Sequence, residues 1–301
     1  MIGVHLGLAF VSLLFGVSYV FGKILLFSME PGAWIALRVT LTSAFFWILF
    51  GKTVWKKRGD LKLRFWHLGV CALFGVVINQ ISFIEGLQRT IPSHSAIMNT
   101  SIPIWTLIFS VILKREQMNL FKALGVLLSF IGVLYLLEVD KLEFSNQYLT
   151  GDLLCLLNAC SFSFYLAYSK GPLKNVSPIL STTMMFSIAL PAVWIYGVHG
   201  YVQTDWQSFG WQVYANIAFL VLGPSVLTYL LNNWALQKVD SSTVAIYIYI
   251  QPLVSMILSY YLLGEQPTAR MLASSVLVVS GVMVGTGLIA KFYRSFRTRW
   301  S

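Results

Sequence analysis

Four ionisable side chains stand inside stretches of sequence otherwise suited to hydrocarbon: Lys23, Arg38, Glu85 and His94. A charge left isolated at membrane depth costs ~2.5 kcal/mol or more, so each must pair with another group, line water or take part in function. Two chemistries fit Glu85, the most deeply placed carboxylate. In the first it takes up a proton or meets a substrate amine, while Lys23 or Arg38 meets a substrate carboxylate. In the second, Arg38 and Glu85 form a fixed bridge tying two helices together. His94 opens a span on the outer side, where a histidine acts either as an interfacial cap or as a pH-sensitive gate.

Hydrogen-bonding and aromatic residues lie closer to the middle of the spans. Ser18, Tyr19, Asn79, Asn99 and Asn158 are candidate substrate contacts, and Tyr165, Trp234, Tyr247 and Gln251 extend the set. Gln80, Asn232 and Asn233 share their depth. Asn and Gln are poorly tolerated toward lipid, so they should face the interior of a bundle, either bonding between helices or touching a ligand. No set of residues reads as catalytic. The chain has no phosphate-binding G-x-x-x-x-G-K-[ST] and no H-E-x-x-H, and Gly16-Val17-Ser18-Tyr19-Val20 lacks the second glycine of a nucleophile elbow. Cys71, Cys155 and Cys160 fall inside spans without disulfide or zinc spacing, so no metal and no cofactor is expected.

The elements that must position these residues follow from composition. Of 301 residues, 57% are hydrophobic and 11% charged, with a mean hydropathy of +0.74. An all-α membrane protein is the remaining class. Apolar runs predict ten transmembrane helices near 4–28, 32–54, 66–87, 92–113, 120–138, 152–170, 177–198, 212–235, 242–263 and 270–290. The first of these reads as a retained helix rather than a signal peptide. The net charge of +10 is concentrated in alternate loops, as in Lys52, Lys56, Lys57 and Arg58, then Lys114 and Arg115, then Lys170 and Lys238. The segment 292–301 adds a basic tail. By the positive-inside rule both termini are cytoplasmic, and the basic excess reports topology and contact with the lipid bilayer rather than nucleic-acid binding.

One passage occurs twice. Glu85–Val133 slides onto Trp234–Val282 without a gap, matching Gln88 with Gln237, Pro103 with Pro252, and Glu116-Gln117 with Glu265-Gln266. Trp234 thus stands where the first copy has Glu85. The copies define two five-helix repeats, 1–140 and 149–291, joined by the acidic, polar segment Glu138–Thr150. An odd number of spans between them inverts the second copy in the bilayer, the arrangement of carriers that open alternately to either side of a site between the halves. Pro103 and Pro252, at matching mid-span positions, deprive the carbonyls of Asn99 and Ile248 of helical partners, and the resulting kinks suit either a ligand site or packing alone. Glu116 and Glu265 read as helix-end electrostatics. Gly3–Gly7 and Gly281–Gly285 match G-x-x-x-G, favouring close packing within the chain over the face of a homodimer.

The stretch Asn79-Gln80-Ile81-Ser82-Phe83-Ile84-Glu85-Gly86-Leu87, then Thr90-Ile91-Pro92-Ser93-His94-Ser95-Ala96, Pro103 and Leu113-Lys114-Arg115-Glu116, resembles the EamA family of the drug/metabolite transporter superfamily. Trp234-Ala235-Leu236 through Ser242, Ala245, Pro252 and Gly264-Glu265 is similar to that family's second domain, and Arg38 after Pro31 to an arginine of its second helix. The resemblance covers nearly the whole chain. It implies an inner-membrane secondary carrier that exports or exchanges amino acids or other small metabolites, with a central cavity for a small-molecule substrate. It does not extend to a coupling role for Glu85. A passive channel or facilitator, and a membrane-embedded enzyme or scaffold, are the alternative readings.

Overall fold

The computed structural model describes residues 2–57, 59, 64–115, 117, 119–136, 147–173, 175–239, 244–245 and 247–285. Glu116, most of the 138–150 segment, Ser242 and the tail 292–301 lie outside the described residues. Helix is the only regular structure among them. Among the described residues seven helices are long and apolar enough to cross a membrane: α1 (Ile2–Leu25), α2 (Pro31–Lys56), α3 (Phe65–Arg89), α4 (Pro92–Ile112), α6 (Leu149–Ser169), α7 (Pro178–Gln203) and α8 (Trp211–Leu236). Three further apolar helices, α5 (Leu120–Leu136), α9 (Tyr247–Leu263) and α10 (Ala269–Gly285), are described over shorter lengths.

Local sequence accounts for the ends and interruptions. Proline occupies the first turn of α2, α4 and α7, where its missing N–H has no helical acceptor to lose. Gly264, with φ of 70°, ends α9 in the left-handed conformation that a side chain disfavours. Both α3 and α8 contain a π-helical turn, at Leu73–Val77 and Leu222–Leu227, at matching places in the two copies. α4 and α9 are each interrupted just ahead of Pro103 and Pro252. Thr100 and Ser101 form a turn inside α4 before Pro103, and a 3-10 turn at Tyr247–Tyr249 precedes Pro252 in α9.

The helices pack in pairs that map onto one another when the copies are exchanged. α2 lies against α7 and α5 against α10, while α1 contacts α8 and α9 as α6 contacts α3 and α4. The contacts are reciprocal down to single atoms. Counting from Pro31 and Pro178, Trp47 corresponds to Trp194 and Thr40 to Ser187; Trp47 Nε1 donates to Ser187 Oγ at 2.8 Å, and Trp194 Nε1 donates to Thr40 Oγ1 at 2.9 Å. On the other flank a Cβ at Gly132 would lie 2.8 Å from Val278, and one at Gly281 would lie 2.5 Å from Ser129 N, where Ser129 and Val278 are themselves counterparts. Both pairs run antiparallel, since residues early in one helix meet residues late in the other. Exchanged contacts of this kind are the mark of a two-fold relation.

Of the two small-residue motifs, Gly281 packs closely within the chain, whereas a Cβ on Gly3 would meet nothing within 4 Å. The closest backbone approach on the other flank joins Gly32 to Gly197, where an added side chain would meet Ala36 at 2.9 Å. Gly197→Leu should therefore lower unfolding stability by ~1–3 kcal/mol through overpacking. Gly3→Ala should leave it level or raise it by up to ~1 kcal/mol. Thermal unfolding in detergent compares the two.

Candidate functional site

Between the halves lies a cavity of about 60 Å³, lined from α1, α3, α4, α6, α8 and α9 and reached by Arg38 from α2. Its polar surface comes from Ser12, Ser18, Tyr19, Asn79, Gln80, Asn99, Asn158, Tyr229, Asn232 and Gln251, and aromatic wall from Phe15, Phe83 and Phe162. Tyr19 is the hub. Its hydroxyl donates to Gln251 Oε1 at 2.8 Å and accepts from Asn99 Nδ2 at 2.8 Å, so one phenol joins α1, α4 and α9.

The π turn in α3 explains the opposite wall. A widened turn leaves carbonyls without their usual partners four residues on, and side chains take over. Tyr229 donates to Gly75 O at 2.6 Å and Ser161 to Phe74 O at 2.6 Å, while just beyond the turn Asn158 Nδ2 donates to Asn79 O at 3.0 Å. Gly75 is required there, because a Cβ would lie 2.8 Å from the Tyr165 ring. The second π turn supplies Ser225, whose hydroxyl accepts from Arg38 Nε at 2.6 Å.

Arg38 is 4% exposed and sits 5.8 Å from the Trp34 ring centroid, with no ion pair to an acidic side chain among the described residues. Two cavity-lining oxygens, Gln80 Oε1 and Asn99 Oδ1, are buried without a hydrogen-bond donor. The site thus offers a guanidinium and orphan acceptors to whatever enters. Among the described residues no group of His, Cys, Asp and Glu is arranged to hold a metal ion.

Of the residues singled out from sequence, Ser18, Tyr19, Arg38, Asn79, Gln80, Asn99, Asn158, Asn232 and Gln251 meet at this cavity. The others do not line it. Tyr165 donates to Asn233 Oδ1 at 2.7 Å, Trp234 lies under Lys238 at 4.5 Å, and Tyr247 bonds His5 Nδ1 at 2.6 Å. The Arg38–Glu85 bridge is not formed. Glu85 pairs with Arg89, one turn along the same helix, and accepts from Tyr196 of α7. Lys23 donates to the carbonyls of Leu87 at 2.8 Å, Gln88 at 2.9 Å and Thr90 at 2.8 Å, capping the end of α3. His94 Nδ1 lies 3.0 Å from Asp152 Oδ2, and the other oxygen of that buried carboxylate accepts from Thr90 at 2.5 Å. Ser12, Phe15, Phe83, Phe162 and Tyr229 were not anticipated. For Tyr229 a signal existed, since it is the repeat counterpart of Gln80, and the two meet at 3.3 Å.

Comparison with known proteins places this geometry in context. Residues 2–137 and 149–286 each match the EamA-like transporter family. An "Uncharacterized transporter" of Archaeoglobus fulgidus is 28% identical over 94% of this chain and 96% of its own length. "Uncharacterized transporter YoaV" of Bacillus subtilis is 21% identical over 95% and 97%. A solved crystal structure, 18% identical, superposes with a TM-score of 0.64 over 93% of this chain and 96% of the other, a likeness of fold.

Removing the Tyr19 hydroxyl should cost ~1–3 kcal/mol, because it leaves Gln251 and Asn99 without partners. Tyr19→Phe and Gln251→Leu should combine less than additively in detergent unfolding, and full additivity would dissociate the two side chains.

Proposed function

The chain belongs to the EamA-like transporter family, and from that premise we propose that it is a secondary carrier which exports or exchanges amino acids or other small metabolites by alternating access. It is a multi-pass membrane protein of a transporter family. In our reading ten helices cross the inner membrane as two inverted five-helix repeats, 1–140 and 149–291, with both termini in the cytoplasm. The reciprocal contacts between α2 and α7 and between α5 and α10 support inversion, and the alternation of basic loops supports the orientation.

One observation carries the substrate reading. Arg38 is buried at the cavity wall, held by a neutral hydroxyl rather than a carboxylate. A guanidinium in that state is a receptor for a carboxylate, which it can bind with two parallel hydrogen bonds. Gln80 Oε1 and Asn99 Oδ1 would accept from an ammonium or other N–H donor, and Phe15, Phe83 and Phe162 would cover an apolar portion. Arg38, Tyr19, Asn99 and Gln251 are the residues we assign to binding.

A thermal-shift screen of amino acids, nucleosides, sugars and cationic drugs against the detergent-purified protein identifies the ligand class. Counterflow in proteoliposomes then separates a carrier from a channel, since only a carrier returns occupied and accelerates exchange. Arg38→Gln should weaken a carboxylate-bearing ligand roughly ten- to a hundredfold while sparing its neutral amide analogue. Equal weakening of both would show that Arg38 shapes the cavity without reading the anion.

A further inference from the structure

Beyond the cavity, the end of the bundle that carries Lys23 and Thr90 holds a carboxylate that substrate binding does not use. Glu265 follows Gly264 in the connector between α9 and α10. Ser93 Oγ, in the first turn of α4, donates to Glu265 Oε2 at 2.6 Å, which ties the α9–α10 connector of the second copy to α4 of the first. The other oxygen, Oε1, is buried with no partner. Ser259 Oγ is buried and unpartnered too, and the Ser259 carbonyl accepts from the Glu265 N–H at 3.3 Å, which keeps the two residues together.

An ionised carboxylate with one dry, unbonded oxygen is costly, whereas a carboxylic acid in the same place is not. Its proton on Oε1 would become a donor, and Ser259 Oγ an acceptor. The surrounding charges do not remove the cost. Lys23 of α1 is close enough to favour the ionised form of Glu265 electrostatically, but its ammonium hydrogen-bonds three α3 carbonyls rather than the carboxylate. His94 of α4 is held by Asp152 of α6, and Cys155 of α6 by Ser95 at 3.1 Å. Burial raises the Glu265 carboxyl above the usual carboxylate range, with the Ser93 bonds, His94 and the nearby Ser259 hydroxyl pulling less strongly downward.

We propose that Glu265 is a proton-binding site that controls this mouth: protonated, it stays packed on Ser93 and the mouth is closed; deprotonated, it draws in water and separates the α9–α10 connector from α4. The sign follows from linkage. Closure is the state that dries the carboxyl and therefore the state that holds the proton more tightly, so proton binding favours closure and release favours opening. The step moves one proton between water and Oε1 and changes nothing else. It rests on the carrier reading for what the mouth serves, but its test needs no substrate.

The probe is the proton itself, applied to the full chain in lipid nanodiscs. Infrared difference spectra across a pH titration should show a protonated-carboxyl stretch in the wild type that disappears at a pH above the ordinary glutamate range and is missing from Glu265→Gln. Hydrogen exchange, corrected for the intrinsic effect of pH, should show residues 86–95 and 264–270 losing protection as the wild type is titrated upward. The loss should approach about tenfold in the open population for each unit by which the closed-state pKa exceeds the open-state one. Glu265→Gln keeps an acceptor for Ser93 and cannot ionise, so it should remain protected throughout and melt no lower than the wild type. A carboxyl band unchanged in the variant, or the same pH-dependent loss of protection in both proteins, overturns the proposal. Absence of counterflow would defeat the carrier reading without touching either measurement.

Discussion

In hydrocarbon a backbone carbonyl without a partner costs several kcal/mol, and most of the structure follows from meeting that demand where the helices are not regular. Each copy departs from regular helix twice at matching places: a π turn in α3 and α8, and an interruption before the proline of α4 and α9. Side chains bond carbonyls at and beside these departures. Tyr229 and Ser161 serve carbonyls of the first π turn, and Ser163 Oγ donates to Ile102 O at 2.9 Å beside the break in α4. These partners have to be polar and have to reach inward. Two polar residues of the cavity wall, Tyr229 and Asn158, therefore also serve the irregular backbone.

Under the carrier reading, a two-fold relation between the copies gives the structure two states of similar energy. Ile2 and Leu149 begin α1 and α6, and counting from them makes Lys23 the counterpart of Lys170. Lys23 donates to Thr90 O at 2.8 Å at one end of the bundle, and Lys170 donates to Val239 O, the counterpart carbonyl, at 3.3 Å at the other. The same latch is built at both mouths. Helix pairs that cross by exchanged contacts, as Trp47–Ser187 and Trp194–Thr40 do, can act as pivots, because tilting one copy against the other changes both contacts alike.

Sequence revealed depth well and direction around a helix poorly. Hydropathy and loop charge locate Arg38 and Glu85 inside spans, but nothing in a single sequence says that Glu85 turns toward Arg89 and Tyr196 while Arg38 turns toward Ser225. The same ambiguity admits Tyr165, Trp234 and Tyr247 to the candidate site although their polar atoms or rings are engaged elsewhere. Internal repetition carries the missing angular information. Gln80 could have led to Tyr229 by the shift of 149 residues that relates the copies. The π turns had a weaker trace, in Gly75 of one copy and Gly223-Pro224 of the other, residues that permit a widened turn without demanding it. Glu265 was assigned to a helix end, as its position warrants, and only the fold brings Ser93 to it.

The contrast between Lys23 and Arg38 bears on what kind of carrier the cavity suits. Both are cations within apolar spans, but three backbone carbonyls already occupy the Lys23 ammonium. Arg38 has five N–H donors, and the Ser225 hydroxyl that accepts from Nε supplies no opposing charge. Under the carrier reading, reorienting the empty protein moves a guanidinium without a counterion through a closed, drier state, where desolvation of a lone charge is most costly. With a carboxylate bound the charge is compensated, and closure buries a hydrogen-bonded pair instead. The occupied protein then crosses the barrier more readily than the empty one, which favours exchange of one anion-bearing molecule for another over net flux down a gradient.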